Sequence, residues 1–169
     1  MKRILTALAA FIVGGSMNAA AEDDAVPNKF KPLAENFWVS PQISVEDIAS
    51  AKQLGVTLII NNRPDGEEFS QPKGADIEAA AKAAGIAYVA IPVSGANIGP
   101  GHLDALDAAM AENDGAVLAF CRSGTRSTLV RAMSKARGGE PIDALVAEAG
   151  AAGYNIAGQR PLLSAAAKH

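Results

Sequence analysis

The stretch Gly115-Ala-Val-Leu-Ala-Phe-Cys-Arg-Ser-Gly-Thr-Arg-Ser127 contains the features that decide the fold and the candidate site. Its apolar part, up to Phe120, has the composition of a buried strand, and the following Thr128-Leu-Val-Arg-Ala-Met133 is typical of a helix. The only cysteine of the chain, Cys121, therefore lies where a strand ends and a helix begins. Backbone N–H groups in such a loop and the helix dipole both favour a thiolate, which is the nucleophilic form of cysteine.

Strands and helices alternate along most of the chain. The sequence predicts strands at 36–40, 56–60, 86–91 and 117–120, and helices at 44–54, 76–84, 102–112 and 127–137, with two more that begin near Pro141 and Pro161. This alternation predicts an α/β fold with a central, mostly parallel sheet and helices on both faces. Ligands of such folds bind beyond the carboxyl ends of the strands. The loops 61–68, 92–100 and 121–127 are expected to meet there.

The first 21 residues have the three parts of a secretory signal peptide. Lys2 and Arg3 are basic, residues 4–13 are apolar, and small residues lead up to Ala21. We therefore expect cleavage after Ala21 and a periplasmic or secreted mature protein, with no membrane association once the peptide is removed. Residues 22–35 are polar and contain two prolines, which predicts a flexible mature N-terminus. Residues 36–169 are then a single domain.

Charge and composition exclude several classes of function. The formal charge of −3 becomes −5 when Lys2 and Arg3 are removed, which argues against nucleic acid or an anionic membrane as a partner. With only His102 and His169 available, no metal site is expected, and no organic cofactor is indicated. One cysteine cannot form an internal disulfide. A free thiol in an oxidising compartment fits a reactive role better than that of a small buried apolar side chain.

The cysteine loop suits the binding of an anion. Cys121 is the candidate nucleophile, and Arg126 offers a planar fork for two oxygens. Ser127 either donates a hydrogen bond to the sulfur or caps the helix. Arg122 faces either solvent or an acidic substrate. The remaining candidates for the anion cradle are Ser123, Gly124 and Thr125.

Loop 61–68 supplies further charged candidates. Arg63 leaves a buried strand at its carboxyl end, where it either approaches the anion or braces the cysteine loop. Asp65, Glu67 and Glu68 are the nearest carboxylates, and Asp65 is our candidate general acid. An ordinary turn at Pro64-Asp65-Gly66 is the alternative. Loop 92–100 contains neither a carboxylate nor an imidazole.

Three segments together resemble a known family: 61–67, Tyr88-Val-Ala-Ile-Pro-Val93 and 121–127. They are similar to the beta-lactamase hydrolase-like protein, phosphatase-like domain family, and the similarity covers roughly residues 30–140. The resemblance implies a fold like that of dual-specificity phosphatases, and some members of the family are labelled sulfurtransferases.

The resemblance leaves two chemistries open. Tyrosine phosphatases have five residues between cysteine and arginine and use an aspartate acid, usually from a loop like 92–100. Here four residues separate Cys121 from Arg126, a spacing that also resembles the active loop of rhodaneses. We therefore expect a cysteine-dependent phosphatase-like hydrolase acting on a small anionic substrate or a phosphoprotein. The alternatives are a rhodanese-like sulfurtransferase that forms a Cys121 persulfide, and a non-catalytic module that binds an anion or a protein.

Overall fold

The computed structural model describes residues 27–168. The predicted signal peptide over 1–21 and residues 22–26 of the predicted flexible segment lie outside the described residues. Within 27–168, no helix combines the length and the hydropathy that a bilayer crossing requires.

In the part of the chain that the structure describes, five strands form one sheet. They are β1 (Lys31–Ala34), β2 (Phe37–Ser40), β3 (Val56–Asn61), β4 (Ala87–Ala90) and β5 (Ala116–Phe120), and their order across the sheet is β1-β2-β5-β3-β4. Strand β1 is antiparallel to β2, whereas all the other neighbours are parallel. The predicted mostly parallel sheet is therefore confirmed, and β5, which leads into Cys121, lies at its centre.

Helices cover both faces of this sheet, as predicted. They are α1 (Asp47–Gln53), α2 (Gly74–Ala83), α3 (Pro100–Ala111), α4 (Thr125–Arg137), α5 (Ile142–Ala151) and α6 (Arg160–Ala166), with a 3₁₀ turn at Ala157–Gln159. Helices α1 and α2 pack on one face around Ile59 and Leu118. Helices α3 to α6 pack on the other face around Ile60 and Val117. Alternate residues of β3 and β5 thus serve two separate cores, which explains their nearly continuous apolarity.

The structure corrects several predicted boundaries, and helices α2, α3 and α4 each begin two residues earlier than predicted. Residues 31–34, predicted to be flexible, form β1, and the side chains of Phe30 and Leu33 are buried. The helix predicted from Ser44 begins only at Asp47, because the Asp47 carboxylate accepts the Ser44 N–H at 2.5 Å and turns the chain ahead of the helix.

Backbone hydrogen bonds join the three loops at the carboxyl edge of the sheet. The N–H of Asn62 donates to Phe120 O at 2.8 Å, and the N–H of Val93 donates to Asn62 O at 3.1 Å. On the other side, the N–H of Cys121 donates to Ser40 O at 3.4 Å. The loops 61–68, 92–100 and 121–127 therefore meet as predicted, with Cys121 between the ends of β2 and β3.

Candidate active site

Cys121 directly follows β5 and is fully buried. The N–H of Gly124 donates a hydrogen bond to its Sγ at 3.1 Å. Gly124 has a φ of +92°, a left-handed conformation that favours glycine, and it is the N-cap of α4. This turn aims an amide and the positive end of a thirteen-residue helix at the sulfur, and both stabilise negative charge there.

Arg126, the second residue of α4, is held by protein acceptors. Its Nη1 donates to Glu67 Oε1 and to Val93 O, both at 2.6 Å, and its Nη2 donates to Glu67 Oε2 at 2.8 Å. Glu67, and to a lesser degree the charge of Cys121, raises the pKa of Arg126 against the opposing effect of burial. The loops after β3 and β4 therefore fix the guanidinium beside the cysteine.

Glu67 is the counter-charge of the site. The hydrogen bond from Arg126, with a further one from Arg63, lowers the pKa of Glu67 to about 2, although partial burial opposes the shift. The carboxylate is therefore ionised near neutral pH and has no proton to give. Of the three carboxylates in loop 61–68, Glu67 thus acts as an acceptor for the arginines rather than as an acid.

Arg63 is buried, and all three of its side-chain nitrogens donate to protein oxygens. Nε bonds Glu67 Oε2 at 2.9 Å, Nη1 bonds Gln42 Oε1 at 3.0 Å, and Nη2 bonds Glu68 Oε2 at 2.9 Å. These contacts favour bracing of the site over direct contact with the anion, the two alternatives that the sequence leaves open.

The exposed residues of the cysteine loop bond to nearby side chains of the protein. Arg122, whose side chain is 65% exposed, forms an ion pair with Glu68 through Nη2 and Oε1 at 2.5 Å. The hydroxyl of Ser123 donates to Thr125 Oγ1 at 3.2 Å. Arg122 thus faces an acidic group of its own chain, and it links the cysteine loop to loop 61–68.

Ser127 is the third residue of α4, so of the two alternatives that the sequence leaves open, capping of this helix is excluded and the hydrogen bond to the sulfur is not formed in this structure. Gly124 occupies the N-cap, and the hydroxyl that bonds the Gly124 carbonyl at 3.0 Å belongs to Thr128. The Ser127 hydroxyl is buried and has no hydrogen-bond partner within residues 27–168. It remains free to donate.

Asp65 is engaged at the start of α2. Its Oδ1 accepts the N–H of Gly74, the first residue of that helix, at 2.9 Å. No hydrogen bond or ion pair in the part of the chain that the structure describes joins Asp65 to Cys121 or Arg126. The contact of this carboxylate is a helix-capping one, which does not support its role as general acid.

Sequence reasoning missed two contributors to the site. The pairing of Arg126 with Glu67 spans 59 positions, and no local pattern indicates it. Tyr154, from the segment after α5, is 9% exposed and has its phenol ring against Gly124. No signal in the sequence around Tyr154 points to the cysteine loop.

No group of three or more His, Cys, Asp or Glu residues within 27–168 has a metal-binding arrangement. The described site consists of a buried thiol, a helix N-terminus and an arginine held by Glu67, which together suit an anionic group.

The chain is similar in sequence to several curated proteins that share one description. A beta-lactamase hydrolase-like protein of Xylella fastidiosa (strain Temecula1) is 37% identical over 107 residues, which are 63% of this chain and 25% of that protein. The chain thus spans about a quarter of the length of the curated relatives it matches.

Solved structures resemble the whole described fold. A protein of Neisseria meningitidis Z2491, described as a candidate phosphatase, has a TM-score of 0.73 and 35% identity, with 80% of this chain and 96% of that chain covered. Human DUSP28 has a TM-score of 0.59 and 18% identity, with 85% and 95% covered, and shows the shared fold. Residues 29–138 match the profile of one family. The chain belongs to the beta-lactamase hydrolase-like protein, phosphatase-like domain family.

Proposed function

We propose that the protein is an exported, cysteine-dependent hydrolase of phosphate esters, with Cys121 as its nucleophile. The observation that carries this proposal is the donation of the Gly124 N–H to Cys121 Sγ at the N-terminus of α4, beside an arginine clamped by Glu67. The family and the phosphatase-like fold support the same assignment.

In the proposed reaction, the Cys121 thiolate attacks phosphorus and the bond from phosphorus to the leaving oxygen breaks. The leaving group takes the electron pair and then a proton from solvent. Water next attacks the phosphorus of the phosphocysteine, and the S–P bond breaks. Inorganic phosphate is released, and the Cys121 thiolate is regenerated. We assign Arg126 and the loop amides of residues 122–125 to the phosphoryl oxygens, and the free Ser127 hydroxyl to the sulfur as it leaves.

Sulfur transfer is the second candidate, because no group at the site is placed as a general acid. Loop 92–100 has no carboxylate, Glu67 is ionised, and Asp65 caps α2. In this reaction, the thiolate attacks the sulfane sulfur of thiosulfate, the S–S bond breaks, and sulfite leaves with the electron pair. Cyanide then takes the terminal sulfur from the Cys121 persulfide as thiocyanate. Neither step needs a protonated acid.

Single-turnover assays with an aryl phosphate and with thiosulfate plus cyanide separate the candidates. Phosphate release that is lost in Cys121→Ser supports the phosphatase, and thiocyanate formation that is lost in the same variant supports sulfur transfer. Ser134→Ala is a matched control on the same helix, because the Ser134 hydroxyl bonds Asp107 far along α4. Absence of both products would leave an anion- or protein-binding module.

We also propose export, and a small anionic substrate or a phosphoprotein as the ligand. The basic, apolar and small-residue parts of residues 1–21 support export. The anion-stabilising cradle supports the ligand class. Mass spectrometry of protein recovered outside the cytoplasm should give Glu22 as the first residue. An intact Met1 in that fraction would contradict cleavage at this position.

A further inference from the structure

Tyr154 has a fixed position at the end of α5. Its N–H donates to Ala149 O at 2.8 Å, and the N–H of Gly153 donates to Gly150 O at 3.0 Å. With Gly153 at a φ of +90°, these bonds form a Schellman motif. The motif directs the chain away from the helix axis and carries Tyr154 toward the cysteine loop.

The ring of Tyr154 fills the space beside Gly124 that a side chain would need. A Cβ atom on Gly124 would lie 2.3 Å from the phenol oxygen and 2.6 Å from Cζ of Tyr154, both far inside van der Waals contact. The ring therefore packs directly on the residue whose N–H donates to Cys121 Sγ. Any rotation of this peptide away from the sulfur has to displace a buried aromatic side chain.

The phenol hydroxyl is uncharged and close enough to the cysteine to sense its charge. Burial, and then the charge of Cys121, raises the pKa of Tyr154 to about 12. A neutral ring in this position excludes water from one side of Gly124 and introduces no negative charge. Both effects preserve the hydrogen bond that the Gly124 N–H donates to the sulfur.

We propose that Tyr154 is a positioning residue of the cysteine site, whose ring holds the Gly124 N–H on Cys121 Sγ and so stabilises the thiolate. The inference rests on the proposed function to the extent that Cys121 is the reactive group. Tyr154 lies beyond residues 29–138, the part of the chain that matches the family, so the site is completed by a segment outside that match.

The test measures thiolate formation directly and requires no turnover. The pH dependence of the ultraviolet absorbance of the thiolate is recorded for the wild type, Tyr154→Phe, Tyr154→Leu and Tyr154→Ala. The same variants in a Cys121→Ser background provide the blanks. Because Cys121 is the only cysteine, the difference signal belongs to it alone. A folded chain that turns over neither substrate still gives this profile, so failure of the proposed function and failure of this inference are distinguishable.

We expect the midpoint of thiolate formation to move to higher pH in Tyr154→Ala. At a pH below the midpoint this variant should contain about 10-fold less thiolate than the wild type, because one hydrogen bond to a charged group is lost. Tyr154→Phe keeps the ring and should stay within about 2-fold of the wild type. If Tyr154→Ala does not fold, Tyr154→Leu carries the test, because it keeps apolar burial and removes the planar ring.

The control is Tyr88→Leu, which removes the other tyrosine, hydrogen-bonded by Asn61 at 2.8 Å. An unchanged midpoint in a folded Tyr154→Leu or Tyr154→Ala variant overturns the proposal.

Discussion

Arg126 uses most of its hydrogen-bonding capacity on the protein itself. Of the five N–H donors of a guanidinium, three are taken by Glu67 and Val93 O. Within residues 27–168 the other two, one on Nε and one on Nη2, have no oxygen acceptor, and a contact with Cys121 contributes to the raised pKa of Arg126. The ion pair thus fixes the plane of the guanidinium and determines which of its edges is offered to a ligand.

Replacing Glu67 by Gln should allow the Arg126 guanidinium to leave its fixed orientation. We expect kcat/KM to fall by about 10–100-fold, the cost of losing hydrogen bonds to a charged group. The KM for the anion should rise less than kcat falls, because Arg126 keeps its charge and loses its orientation. Glu78→Gln is the matched control, since Glu78 pairs with Lys82 on the exposed face of α2. Equal kinetics for both variants would contradict the orienting role.

The ion pair between Glu67 and Arg126 also predicts how stability depends on pH. The folded pKa of Glu67 is about 2, below its ordinary value of 4.5. Its stabilising contribution is therefore fully present above pH 4.5 and is lost as the pH falls through 2. The difference in the free energy of unfolding between the wild type and Glu67→Gln should be constant from neutral pH to about 5 and shrink below it. Urea denaturation across this range measures it, and a difference that grows on acidification would be inconsistent with an ionised Glu67.

At the scale of elements, Asp65 has a structural contact that the sequence did not indicate. Its carboxylate accepts the first N–H of α2 and places negative charge at the positive end of that helix. Asp65→Ala should lower the free energy of unfolding by about 1 kcal/mol. Asp65→Asn should cost less, because an amide oxygen still accepts this bond.

Neither Asp65 variant should alter the basic limb of a pH–rate profile if the capping contact is the whole role of this side chain. Loss of the basic limb in Asp65→Asn, with stability retained, would restore Asp65 as the general acid, because a general acid must be protonated to act. The free energy of unfolding and the pH–rate profile together distinguish a helix-capping role of Asp65 from a general-acid role.

Long apolar runs made most elements predictable. Strands β3 and β5 are buried over nearly their whole length, so continuous apolarity gives their bounds within one residue. Strand β1 was missed because only Leu33 in it is buried and Pro32 is typical of loops. Proline is tolerated there because β1 is an edge strand that, within residues 27–168, pairs only with β2.

The candidate site was predictable only in its local part. The order strand, cysteine, glycine, arginine places Cys121, Gly124 and Arg126 within one turn of chain, and the structure brings them together. The partners of Arg126 and the ring of Tyr154 come from segments distant in sequence. Their contacts depend on how the loops meet in space, which residue types and spacing do not encode.

At the scale of the whole molecule, the segment before β2 is part of the fold. Phe30 is buried in the core under α1 and α2, and Leu33 is buried in the core on the opposite face. Strand β1 also covers the edge of β2, whose last residue accepts the Cys121 N–H. The N-terminal segment therefore ties both cores to the strand beside the site.

A chain that begins at Glu35 should be less stable than one that begins at Glu22, the expected mature N-terminus, by about 3–6 kcal/mol. This estimate corresponds to the burial of two large apolar side chains. Strand β2 would also become an exposed edge, which favours association between molecules. Chemical denaturation and light scattering measure the two effects, and equal unfolding midpoints would show that β1 is dispensable.

Trp38, the only tryptophan of the chain, lies on β2 opposite Leu118 of the central strand and two residues before Ser40. The protein therefore contains a single tryptophan fluorophore, which lies within the sheet that carries Cys121 and can be excited separately from the tyrosines. Its emission should shift to longer wavelength when the sheet opens to water, without any attached dye. Each variant discussed above can accordingly be checked for an intact sheet in the same cuvette in which its reaction is followed.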